Sequence, residues 1–158
     1  MCLVNIDKIL PNYIDIQGNC VPNYFTQFNV YNNFTINCRW IDCESIEVIN
    51  SKLEILSSKI IDTVIGTSIE GQHLTGKKLI LVGKIIAKIN LKCFKCNNRI
   101  CCIEKNIPFS TFIILPNPIN EEDPINLRYL IEDATGVMIS RNKLFINVTI
   151  IIQYLDEY

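Results

Sequence analysis

The chain has 158 residues, of which 49% are hydrophobic and 20% charged, with 15 Lys and Arg against 16 Asp and Glu. That length suits one domain, or one domain with an arm, burying a sizeable core, and the apolar content excludes disorder along most of it. Thirty Ile and 18 Asn against only two Ala nearly exclude an all-helical fold, and the near-neutral charge excludes a protein that works by neutralising nucleic-acid phosphates.

In chain order, residues 1–24 contain Pro11, Gly18 and Pro22 with little periodicity, which predicts an extended N-terminal arm or an irregular edge segment. The opening residues lack the basic start, apolar run and cleavage site of a secretory signal, so synthesis in the cytosol is expected. No apolar stretch is long enough to span a bilayer, and no membrane partner is expected. From residue 25 the pattern turns to strands. Residues 25–31 and 35–40 read as extended segments separated by the turn-prone pair Asn32-Asn33. Residues 45–50 suggest a short helical turn, with Asp42 and Ser45 available as caps. Residues 52–65 read as a strand and 66–76 as a polar loop.

Residues 77–93 form the clearest strand. Leu79, Leu81, Ile85, Ala87, Ile89, Leu91 and Cys93 share one face, and Lys84, Lys88, Asn90 and Lys92 the other, the period-two signature of a half-buried strand. Residues 99–107 return as its partner and 109–115 follow. Pro116-Asn117-Pro118 and Glu121-Glu122-Asp123-Pro124 punctuate the chain before strands at 125–132, 136–139 and 143–154. Short strands at regular spacing with turn signals between them predict an all-β, antiparallel β-sandwich with at most one short helix, occupying residues 25–158 behind the arm.

Charge is uneven. Residues 77–105 hold eight basic groups against one acid, and 121–133 one basic group against five acids. A solvated lysine face is the plain reading. The sharper one is head-to-tail docking, in which Lys84, Lys88 and Lys92 of one copy meet Glu121, Glu122 and Asp123 of the next.

Eight cysteines, Cys2, Cys20, Cys38, Cys43, Cys93, Cys96, Cys101 and Cys102, are unusual in a chain without an export signal. Free thiols are the default for a cytosolic protein. A two-residue turn at Asn97-Asn98 would set Cys93 opposite Cys102, close enough for a disulfide. A three-residue loop at 97–99 instead puts Cys93, Cys101, Ile103 and Ile107 on the apolar face and turns Cys96 and Cys102 outward. Turn chemistry favours the first register and hydrophobic alternation the second. Cys93 and Cys96 have one pair of a zinc-site spacing, but Cys101 and Cys102 are vicinal and face opposite ways on a strand. Metal binding or thiol redox chemistry by this hairpin is therefore a weak alternative, and no cofactor is expected. His73 is the single histidine, phosphate-cradling glycine loops are missing, and no base, nucleophile and oxyanion set can be assembled. No catalytic residue is expected.

Three segments in order resemble a known family. Leu74-Thr75-Gly76-Lys77-Lys78-Leu79-Ile80-Leu81-Val82-Gly83-Lys84 is similar to the LTG strand of the SPOCS (spore coat assembly) domain, and Ile107-Pro108-Phe109-Ser110-Thr111-Phe112-Ile113 resembles its PF strand. Tyr129-Leu130-Ile131-Glu132-Asp133 followed by Ser140-Arg141-Asn142-Lys143-Leu144-Phe145-Ile146-Asn147-Val148 resembles its ending. The resemblance spans residues 25–158. It implies a β-rich, non-enzymatic domain of proteins that build bacterial endospore outer layers through protein–protein contacts. Some members carry a peptidoglycan-binding module after the domain, which is not carried over here. The cysteine hairpin and the cysteines of the arm depart from the family pattern.

Spore outer-layer proteins are made in the mother-cell cytosol and meet an oxidising exterior when that cell lyses. The expectation is therefore a self-assembling structural protein of the coat, exosporium or an appendage fibre, with itself and other outer-layer proteins as partners. The arm would pair with a strand edge of a neighbour, and disulfides would reinforce the contacts. A bridge that closes a loop stabilises by about 2–4 kcal/mol. The alternative is a monomeric adaptor that recruits other coat proteins.

Overall fold

The computed structural model describes residues 3–8, 24–36, 43–93, 100–119 and 122–155. Seven strands follow one another, β1 (Val4–Lys8), β2 (Phe25–Thr35), β3 (Cys43–Thr67), β4 (His73–Cys93), β5 (Ile100–Ile114), β6 (Ile125–Ser140) and β7 (Lys143–Tyr154). No helix occurs among the described residues. One sheet has the order β1-β6-β7-β2 and the other β3-β4-β5. All pairs are antiparallel except β1 with β6.

The two sheets pack face to face because each strand alternates apolar and polar residues, and only one face of each needs to leave water. In β4, Leu79, Leu81, Ile85, Ala87, Ile89 and Leu91 are all fully buried, as their spacing predicts. Leu144, Ile146, Val148, Ile150 and Ile152 of β7 meet them from the other sheet. The sandwich is also closed along both seams. On one side the Lys8 ammonium donates to the Ser51 carbonyl at 2.9 Å, joining β1 to β3. On the other, the hydroxyls of Thr26 and Thr111 lie 3.5 Å apart, joining β2 to β5.

Several predicted breaks are not breaks. β2 runs through Asn32-Asn33 without a turn, because β7 offers an unbroken ladder down to Thr35 opposite Lys143. The Asn32 side chain accepts the Asn33 N–H at 2.8 Å instead of bending the chain. The helical turn expected at 45–50 is the start of β3, paired with β4 from Cys43 onward. A strand as long as β4 supplies enough partner backbone to override local helix signals. β6 likewise continues through Gly136, with a bulge between Ile131 and Asp133.

β5 crosses Pro108 for a reason the register gives. Leu115 N–H bonds the Lys77 carbonyl at 3.1 Å, and Leu115 and Lys77 continue the β4–β5 register. Bonded pairs alternate, so odd-numbered residues of β5 face β4 through their backbone groups and even-numbered ones face away. The nitrogen of Pro108 therefore lies on the free side, where a missing donor costs no ladder bond.

Part of the first stretch lies at a sheet edge, and the cysteine hairpin differs from one of its two expected registers. Val4–Lys8, within the stretch read as an arm, forms β1 and pairs with β6 of its own chain. This part of the arm is thus already engaged and is not offered to a neighbour. In the hairpin, Cys102 is the partner of Asn90 and Cys101 of Leu91. Cys93 opposite Cys102 is therefore a correction. Burying Ile103 and Ile107 decides the register, since a slip of one residue would turn both to solvent. The partner of Cys93 is Cys43 on β3.

Candidate functional site

Four cysteine positions fall at one end of the three-stranded sheet. Cys43 and Cys93 are Cα partners across β3 and β4, and Cys101 faces Leu91 two residues further along. Cys101 is half-buried against the core and Cys102 is exposed, and both are free. Their opposite exposure follows from strand alternation, as the hydrophobic-alternation reading required. Cys2, Cys20, Cys38 and Cys96 lie outside the described residues. Among the described residues, no group of three His, Cys, Asp or Glu side chains comes close enough to hold a metal ion.

The basic strand presents Lys84, Lys88 and Lys92 along the outer face of β4. Its charge is partly answered within the chain. The Lys84 ammonium lies 3.4 Å from the Glu54 carboxylate on β3, and Lys88 is the Cα partner of Glu104 on β5. The same holds at the other end of the strand, where Lys77 pairs with Asp62 at 2.6 Å. Glu122 and Asp123 are exposed in the turn before β6, and Glu121 lies outside the described residues.

His73 begins β4 and is exposed. It lines an open groove of about 860 Å³ with Tyr24, Thr26, Glu70, Phe112 and Ile114. The groove is lined by the start of β2, the end of β5 and the β3–β4 turn. Sequence reasoning missed it, because its walls come from three separate stretches of chain.

The residues that carry the family motifs do structural work. The buried Thr75 hydroxyl donates to the Leu115 carbonyl at 2.5 Å, tying the start of β4 to the end of β5. Gly76 has φ +95, a conformation that L side chains rarely adopt. Gly83 lies under the Phe109 ring, whose Cζ would be 2.7 Å from an added Cβ. Phe109 in turn meets Phe28 of the opposite sheet, with ring centroids 5.3 Å apart. At the β6 bulge, Glu132 accepts a bond from Gln27 at 2.6 Å and Asp133 one from Thr135 at 2.9 Å.

The family model described as "SipL, SPOCS domain" matches residues 42–139. The chain belongs to the SPOCS-domain family. That makes it a sporulation-related protein and accounts for the motif order. The SPOCS match takes in β3, β4, β5 and most of β6, whereas β1, β2 and β7 lie beyond it. It is thus narrower than the 25–158 span of the resemblance. No curated protein and no solved structure matches the chain. No helix among the described residues is long and apolar enough to cross a membrane.

Replacing Thr75 with valine tests the structural reading of the SPOCS LTG motif. The Leu115 carbonyl loses its donor in a buried place, so stability should fall by about 1–3 kcal/mol, read from the urea midpoint. An unchanged midpoint would show that this bond contributes nothing.

Proposed function

We propose that this SPOCS-domain protein is a structural, self-associating component of the spore surface, in the coat, the exosporium or an appendage fibre. Disulfides between subunits reinforce it, and other outer-layer proteins are its further partners. It acts without catalysis or cofactor. Family membership carries the reading, and the chemistry of the surface supports it. Cys102 is a free, exposed thiol in a chain with eight cysteines. The motif side chains, meanwhile, are taken up in packing and strand contacts rather than directed at a ligand.

The cysteine register refines the disulfide part. Directly opposed residues in an antiparallel pair have Cα atoms about 4.5–5.5 Å apart, within the range a disulfide spans. Cys43 and Cys93 are thereby placed opposite each other for a bridge inside one chain, and the exposed Cys102 joins Cys2 and Cys20 as a thiol to reach another copy. On non-reducing gels of spore extract, ladders of covalent oligomers are expected, thinned in a Cys102→Ser strain. Peptide mapping of the same extract should join the Cys43 peptide to the Cys93 peptide. A single monomer band would rule out bridging between subunits.

One observation favours a monomeric adaptor instead. Val4–Lys8 completes the protein's own sheet by pairing with β6, so this segment is spent within the chain. Purified protein that stays monomeric at every concentration, with and without oxidant, would select the adaptor.

A further inference from the structure

Every sheet edge is a row of backbone donors and acceptors that a further strand can extend, and proteins that must not pair there blunt the edge. Of the four sheet edges among the described residues, three carry such devices. β1 is only five residues long and ends on Asp7 and Lys8. β3 has register shifts at four places along its length, and bulges twist an edge away from a partner. β5 bears Glu104, Lys105 and Pro108, and the nitrogen of Pro108 faces its free side.

β2 has none of these. Its eleven residues, FTQFNVYNNFT, include no charge, proline or glycine, and its register against β7 never shifts. The direction of its backbone groups follows from two bonds at its ends. Tyr154 N–H bonds the Tyr24 carbonyl at 3.0 Å and Ile36 N–H bonds the Asn142 carbonyl at 2.8 Å. Both pairs continue the β2–β7 register, so even-numbered residues bond β7. The N–H and C=O groups of Phe25, Gln27, Asn29, Tyr31, Asn33 and Thr35 therefore point away from it. The neighbouring β5 meets β2 through side chains of the inner face, Phe109 on Phe28 and the Lys105 ammonium over the Phe34 ring. Among the described residues, β2 has no backbone pairing with any strand but β7.

We infer that the free edge of β2 is a docking edge for β2 of a second copy of this chain, paired antiparallel. Self-pairing suits this strand because it is uncharged from end to end, so two copies set no like charges against each other. A register centred on Val30 places Asn29 opposite Tyr31 of the second copy and Gln27 opposite Asn33. Odd residues then meet odd residues, the parity whose backbone groups point away from β7, with the Asn33 N–H exchanging its Asn32 side-chain acceptor for the second copy. The contact is isologous and closes a dimer, joining two four-stranded sheets into one of eight. Both β2 and its supporting strand β7 lie beyond the residues that the family model matches.

The inference rests on the self-association reading, and one experiment separates the two. Purified protein is studied by light scattering across a concentration series in reducing agent, so that no disulfide contributes. The wild type should dimerise. Asn29→Pro removes one outward donor and leaves the backbone ladder to β7 intact, losing only the bond that the Thr149 hydroxyl donates to the Asn29 side chain, and Tyr31→Lys puts a charge on the edge. Each should weaken association by about tenfold or more, the scale of a lost intermolecular hydrogen bond. Asn106→Lys, on the already blunted β5 edge, should leave the dimer intact. Far-UV circular dichroism verifies that each variant is folded, and Tyr31→Lys stands in should Asn29→Pro fail to fold. If the variants associate as strongly as the wild type, the β2 edge is wrong while self-association stands. A reduced wild type that stays monomeric but forms covalent oligomers on oxidation overturns the edge alone. A wild type monomeric under both conditions overturns both.

Discussion

Gly83→Ala is expected to destabilise the protein by about 1–3 kcal/mol, the usual cost of forcing an extra carbon into a filled core. For a chain of this size that corresponds to a melting temperature lower by about 2–12 °C. An added Cβ would press on the backbone carbonyl of Glu54 and lie 2.7 Å from the Phe109 ring. The ring has a flexible stem, but the carbonyl belongs to β3 and can yield only if the strand moves. Gly71→Ala makes the comparison. Gly71 has φ +84 and nothing within 4 Å, so its replacement carries backbone strain without a clash, about 1–2 kcal/mol. Thermal melts followed by circular dichroism measure both. A Gly83→Ala protein that melts with the wild type would show that the close approach of β3, β4 and Phe109 is not real.

Tyr129→Phe is expected to have a comparable effect with a signature in pH. Tyr129 is 3% exposed, and its phenol oxygen accepts the Leu53 N–H at 3.3 Å, a bond between β6 of one sheet and β3 of the other. Phenylalanine leaves that N–H buried without an acceptor, at a cost of about 1–3 kcal/mol. Burial raises the Tyr129 pKa above its ordinary 10.0, with the Leu53 bond pulling weakly the other way. A raised folded-state value gives stability that is fully present below the unfolded pKa. It is lost as pH rises through 10 toward the folded value, because the unfolded chain ionises first. Urea midpoints on either side of that pH should therefore converge between wild type and variant as alkali removes the wild type's advantage. A constant gap across the range would mean that the phenol is not buried as described.

Residues whose partners lie close in sequence were the most legible. β4 shows its buried face by alternation alone, from Leu79 to Leu91, and β5 follows as the returning strand with Ile103 and Ile107 inward. The LTG and PF segments together with the ending at 129–133 and 140–148 marked the family through their order and spacing. Breaks were read too readily. Asn32-Asn33, Pro108 and Gly136 all carry turn or breaker chemistry, yet each sits inside a strand whose neighbour is long and regular. A local signal worth a fraction of a kcal/mol yields to a ladder of hydrogen bonds with a buried face beneath it.

Other features required the fold. Tyr129 could be seen as an inward residue of a strand, but not as the acceptor for an amide 76 positions away. The groove beside His73 and the pairing of β1 with β6 likewise join stretches that are distant in sequence.

By itself, then, the amino-acid sequence determined that this protein is all-β, which face of its central strand is buried, and which family it belongs to. Those properties follow from side-chain alternation and short motifs, which are local. The tertiary structure decided which cysteines stand opposite one another, that residues 4–8 serve their own sheet, and that the uncharged β2 pairs with β7 alone among the described residues. Each depends on which strands become neighbours, and that is settled by how two sheets bury their apolar faces together rather than by any one segment.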